Sequence, residues 1–168
     1  MVKIFFSHST KDNRLVIGLK KKLEDNYNIE VYLAERDYQL GKSLPQKIME
    51  NIDSSKYFLI IYTFNGNSSR YVQQEIGYWF GKNGYRNLIP FVERGIQPEG
   101  FLQSAEYIEF NRHNLNIGIE NIFNYLNQRI AERNQQIRTI GLGIGLVGIA
   151  SLVIYGLSKL NKEDNTNI

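Results

Sequence analysis

Residues 56–64 read KYFLIIYTF. The run is apolar on both of its alternating sides. A strand with one wet face would alternate polar with apolar. A strand covered above and below need not, and that is the signature of a central strand in a parallel sheet. Asn65 to Ser69, NGNSS, follows as a polar loop closing in two candidate helix N-caps, Ser68 and Ser69. From about Arg70 to Lys82, Val72, Ile76, Trp79 and Phe80 then recur at helical spacing. Buried strand, polar loop and amphipathic helix form the unit from which the rest is read.

The same alternation extends in both directions. Upstream, VKIFFS (Val2 to Ser7) reads as a buried strand and HSTKD (His8 to Asp12) as a polar loop. Leu15, Leu19 and Leu23 then mark a helix from Asp12 to about Asn26. IEVYLA is a second strand, and ERDYQLGKS a charged loop pivoting on Gly41. Ser43 and Gln46 match a capping box, with Pro45 in the first turn and Ile48, Met49 and Ile52 on the helix face beyond. Downstream, NLIPFVE is a strand, EYIEF (Glu106 to Phe110) a weaker edge strand, and Ile117 to about Arg133 a final amphipathic helix. The pattern predicts an α/β fold: an open, mostly parallel sheet with helices on both faces. Ligands of such sheets bind beyond the C-terminal strand ends. The polar loops there are Ser7 to Asp12, Glu35 to Ser43 and Asn65 to Ser69.

Composition narrows the function. The 168 residues suit one domain with an appendage, and 42% hydrophobic with 22% charged content is that of a folded chain. Net charge is +3, and the densest basic cluster, Lys20 to Lys22, interrupts an amphipathic pattern, so it reads as a solvated helix face and no nucleic-acid partner is expected. The chain has no cysteine, which excludes disulfides and thiol catalysis and fits a reducing compartment. His8 and His113 lack ligand spacing, so no metal site is expected. Met1 leads into an apolar run only a few residues long, unlike a signal peptide.

Three nucleotide or phosphate motifs are absent. A phosphoacceptor receiver needs an acidic pair after the first strand and an aspartate after the third, where this chain has Ser7, His8 and Ser9, and Thr63, Phe64 and Asn65. Gly41-Lys42-Ser43 lacks the upstream glycine of a phosphate-binding P-loop. No Gly-x-Gly-x-x-Gly follows a strand. The glycines at 141, 143, 145 and 148 lie inside an apolar segment.

The segments KIFFSHSTKD, VYLAERDYQLGKSL, YFLIIYTFNGNSSRYVQQEIGYW and LIPFVERG, in this order, resemble a prokaryotic Toll/interleukin-receptor (TIR) domain over roughly residues 2–133. The resemblance implies a flavodoxin-like five-stranded sheet and a catalytic glutamate at Glu75. Many members carry tryptophan four residues earlier; here Tyr71 keeps an aromatic face on the same side of the helix. With Val72 and Ile76 toward the core, Glu75 is expected at the boundary between core and loop side, near Ser7 to Asp12. The resemblance also implies that Ser7, His8, Ser9, Thr10 and Lys11 line a nucleotide pocket with Tyr71, and that Arg36, Gln39 and Ser43 belong to a loop closing over it or meeting a neighbouring subunit. Read without it, Glu75 is a solvated glutamate, Ser9 or Thr10 a helix cap, and Arg36 with Asp37 a surface pair. The implied reaction is cleavage of the nicotinamide–ribose bond of NAD, which is substrate and not cofactor. The product would be ADP-ribose, a cyclic ADP-ribose or a conjugate.

Thr139 to Ser158 are 20 consecutive uncharged residues, the length that spans a bilayer core of about 30 Å. The expected division is a TIR domain over 1–134, a transmembrane helix over 135–159 and a polar tail over 160–168. Arg129, Arg133 and Arg138 outweigh Lys159 and Lys162, which Glu163 and Asp164 offset, so the domain is expected on the cytoplasmic side of a single-pass anchor. Gly141, Gly145 and Gly148 share a helix face, with Gly156 near the same stripe, an arrangement that lets helices associate in lipid. Three functions stay open. The chain is a membrane-anchored NAD-cleaving enzyme of prokaryotic antiviral immunity, activated by self-association. Or it is a non-catalytic scaffold for another TIR domain or a nucleotide-sensing effector. Or it is a membrane-disrupting effector triggered by oligomerisation.

Overall fold

The structure is a computed structural model describing residues 2–27, 29–33 and 46–140. Strands β1 (Val2–Ser7), β2 (Ile29–Leu33), β3 (Tyr57–Tyr62), β4 (Leu88–Glu93) and β5 (Ile108–Phe110) form one sheet in the order β2-β1-β3-β4-β5. Every neighbouring pair is parallel. The chain builds outward from β1 to β2, then returns to the other side of β1 for β3, β4 and β5. The gap between β1 and β3 is therefore the topological switch point where such sheets bind ligands.

All six residues of β3 are buried, as its unbroken apolar run requires. Its alternation divides the core. Tyr57, Leu59 and Ile61 join Ile4 and Phe6 of β1 beneath α1 (Asn13–Tyr27) and α5 (Asn116–Ile140). Phe58, Ile60 and Tyr62 join Phe5 beneath α2 (Gln46–Ser54) and α4 (Arg70–Asn83). The helices answer with spaced apolar residues: Val16, Leu19 and Leu23 from α1, Ile119, Ile122 and Leu126 from α5, Ile48 and Ile52 from α2, and Val72, Ile76 and Trp79 from α4. Aromatic stacking of Phe58 on Phe5 and on Trp79 ties β1, β3 and α4 together. Gly118 lets α5 approach closely, since a Cβ there would stand 2.8 Å from the Phe91 ring.

Three expected boundaries move. The NGNSS loop is not irregular: Phe64–Asn67 form a helical turn, α3, because the Thr63 side chain caps it by accepting from Gly66 N–H. His8 to Asp12 tighten into a 3-10 turn, Thr10–Asp12, capped by Ser9. The last helix runs on past Arg133 to Ile140, into the stretch where a separate helix was expected from 135. Among the described residues no helix is long and apolar enough to cross a membrane. Of the 20-residue uncharged stretch, all but Thr139 and Ile140 lie outside the described residues, as do the glycine stripe and the polar tail.

Candidate active site

The β1 strand delivers Ser7 to the switch point on the side of α2 and α4, in line with Phe5 two residues earlier. Ser69 caps the N-terminus of α4 by accepting from Val72 N–H at 3.5 Å, and Gln73 Nε2 donates to Asn67 O at 3.1 Å. The apolar stripe Val72, Ile76, Trp79 fixes its rotation. Glu75 falls within that stripe, not at its margin: it is 0% exposed, deeper than the expected boundary position. The stripe's width explains the difference, because positions three and four apart all face the sheet. Ser7 Oγ donates to Glu75 Oε2 at 2.6 Å across 68 residues of sequence. A carboxylate withdrawn from water is costly unless hydrogen-bonded, and such groups mark functional-site candidates.

The other expected pocket residues separate. His8 and Ser9 are buried; His8 Nδ1 lies 3.3 Å from Phe6 O, and the Ser9 side chain accepts from Lys11 N–H at 3.4 Å. Ser9 thus acts as a cap, as its loop position permitted. Thr10 and Lys11 are exposed. Tyr71 is 42% exposed, one turn before Glu75 at the outer rim of α4. Arg36, Gln39 and Ser43 lie outside the described residues. Among the described residues no group of histidine, aspartate and glutamate is placed to hold a metal ion.

A second buried carboxylate, Asp12, sits at the same edge of the sheet and is 1% exposed. Its Oδ2 accepts from Thr63 Oγ1 at 2.6 Å, and its Oδ1 accepts from Asn65 Nδ2 at 3.1 Å and Arg112 Nη2 at 3.2 Å. Arg112 turns the rest of its fork to Glu93, Nε to Oε1 at 2.6 Å and Nη2 to Oε2 at 2.8 Å. The bond to Glu93 first, and then that to Asp12, holds the guanidinium above its ordinary pKa against the opposing effect of burial. The cluster joins the 3-10 turn, α3, the end of β4 and the segment after β5. Nothing in the sequence reading singled it out. The available signal was the polar Thr63 directly after a fully apolar strand.

The family model for the TIR domain matches residues 4–122 of the chain. Among solved structures, the TIR domain of the Toll-related receptor TRR-2 from Hydra magnipapillata aligns at 18% identity and a TM-score of 0.57, over 75% of this chain and 94% of that one. A prokaryotic SEFIR domain aligns at 14% identity and a TM-score of 0.59, over 74% and 91%. At these identities the two structures are similar in fold. No curated protein sequence matches the chain.

Proposed function

The chain belongs to the TIR domain family, and from that premise we propose that it is a membrane-anchored enzyme cleaving the nicotinamide–ribose bond of NAD, with Glu75 as its catalytic residue. The observation that carries this reading is the fully buried Glu75 held by Ser7 at the switch point of the sheet. A core position occupied by a carboxylate is poor packing chemistry, and its place beyond the strand ends is where α/β sheets present ligands.

The chemistry asks for one carboxylate. As the C–N bond breaks, its electron pair returns to the pyridinium nitrogen and neutral nicotinamide leaves. Positive charge develops on the ribose, as in glycoside hydrolysis. A carboxylate directed at the ribose stabilises that charge more in the transition state than in the ground state. The leaving group needs no protonation, so no general acid is required. Water then completes the reaction to ADP-ribose and a proton; an internal adenine nitrogen would instead give a cyclic product. Substrate must reach Glu75, which is fully buried here, and self-association is the proposed means of opening a path to it. The uncharged Thr139–Ser158 segment supplies the proposed anchor, and prokaryotic antiviral defence the proposed setting.

That same burial favours one other reading, a non-catalytic scaffold whose glutamate is structural. The full chain, clustered on vesicles and incubated with NAD, separates them. We expect nicotinamide release that Glu75→Gln lowers by roughly 100-fold or more. Equal release by both proteins, or none by the parent, contradicts the enzyme.

A further inference from the structure

Ser7 stands among the residues that a nucleotide pocket would use, yet its hydroxyl is spent elsewhere. A serine hydroxyl has one proton to donate. Here that proton goes to Glu75 Oε2 over 2.6 Å, within the short range of hydroxyl-to-carboxylate bonds. The same hydroxyl cannot also donate to a phosphate oxygen of the dinucleotide.

Building on the catalytic reading of Glu75, we propose that Ser7 is a positioning residue, which fixes the Glu75 carboxylate for the reaction and does not bind the substrate. Both ends of the contact are mounted rigidly. Ser7 is the last residue of β1 in register with β3, opposite Ile60, and is fully buried. Glu75 rides on a helix seated through Val72, Ile76 and Trp79. What the helix alone leaves undetermined is the glutamate's own side-chain torsions. The bond to Oε2 restrains the plane of the carboxylate and with it the direction of its other oxygen. Placement of this kind matters because small displacements of a reacting group cost large factors in rate.

Positioning and substrate binding have different kinetic signatures. A group acting only through Glu75 lowers kcat and leaves KM alone, whereas a group that lines the pocket raises KM. In the full chain, Ser7→Ala is expected to lower kcat for nicotinamide release roughly 10- to 100-fold with KM for NAD unchanged. Ser7→Thr, which keeps the hydroxyl, is expected to restore most of kcat. In a Glu75→Gln background, Ser7→Ala is expected to add no further loss, since the two residues act as one unit. A rise in KM with kcat kept, no effect at all, or full additivity in the double variant overturns the positioning role while leaving Glu75 catalytic. A parent chain no more active than Glu75→Gln overturns both.

Discussion

Two carboxylates are buried at the C-terminal edge of one sheet, and they are held in different ways. Asp12 belongs to the side of α1 and α5. It is met by a hydroxyl, an amide and a guanidinium, drawn from 51, 53 and 100 residues away. Glu75 belongs to the side of α2 and α4 and receives the neutral hydroxyl of Ser7. The first arrangement is a clamp: each donor fixes a different stretch of backbone, and the buried carboxyl group is the common point they share. The second is set among the apolar residues of α4 and meets the strand end through Ser7, and it is the carboxylate proposed for chemistry. Burial alone therefore does not single out a candidate catalytic carboxylate. What the group's partners are made to do is more informative.

The comparison can be broken most severely at Asp12. Asp12→Ala strands the buried Thr63 hydroxyl and takes a partner from the half-buried Asn65 amide, and should lower unfolding free energy by roughly 2–4 kcal/mol, at about 1–3 kcal/mol for a buried unsatisfied group and less for the half-buried one. Denaturant unfolding at neutral pH measures it, and a loss well under that range would show that the cluster is no clamp. Gly66 tests the same clamp from within α3. A Cβ there would lie 2.5 Å from Ile61 O, a backbone atom that cannot swing aside. Gly66→Ala should cost about 1–3 kcal/mol, read in the same assay, and an unchanged midpoint would refute the close approach.

The smallest effect belongs to an exposed carboxylate, Asp53, which sharpens the contrast with both buried ones. Its bond from Lys82, joined by one from Tyr78, lowers its pKa. A depressed folded value means stabilisation present above the unfolded pKa of about 3.9 and lost as pH falls through the folded value. Both side chains are roughly half exposed, 50% for Lys82 and 42% for Asp53, so solvent and salt screen the pair. Asp53→Asn should shift the urea midpoint only slightly at neutral pH, and that difference should vanish in strong acid. A difference that grows on acidification would contradict the sign.

The fold was legible because its decisive signal is local. The unbroken apolar run of β3 and the spacing of Val72, Ile76 and Trp79 need no distant partner to be read, and they place Glu75 on α4 beyond the third strand. Its depth was less legible: whether position 75 lies inside the apolar stripe or beside it depends on how the sheet seats the helix. The Asp12 cluster was not legible, because Arg112 and Asp12 meet only once β5 is laid against β4. The α3 turn was hidden for a related reason. Asn, Gly and Ser favour loops, but Thr63 at the strand end supplies the cap that makes a helical turn. The continuity of α5 past Arg133 escaped too: polar residues there give no apolar stripe to follow, and the stretch from 135 read as the start of a separate helix.

The central claim is that Glu75, not Asp12, is the carboxylate kept for chemistry. Its most direct test is the rate of nicotinamide release from NAD by the clustered full chain and by Glu75→Gln, at equal folded concentration. The expected result is measurable release by the parent and a loss of roughly 100-fold or more in the variant, with no loss of folded protein. Release at the same rate by both would contradict it.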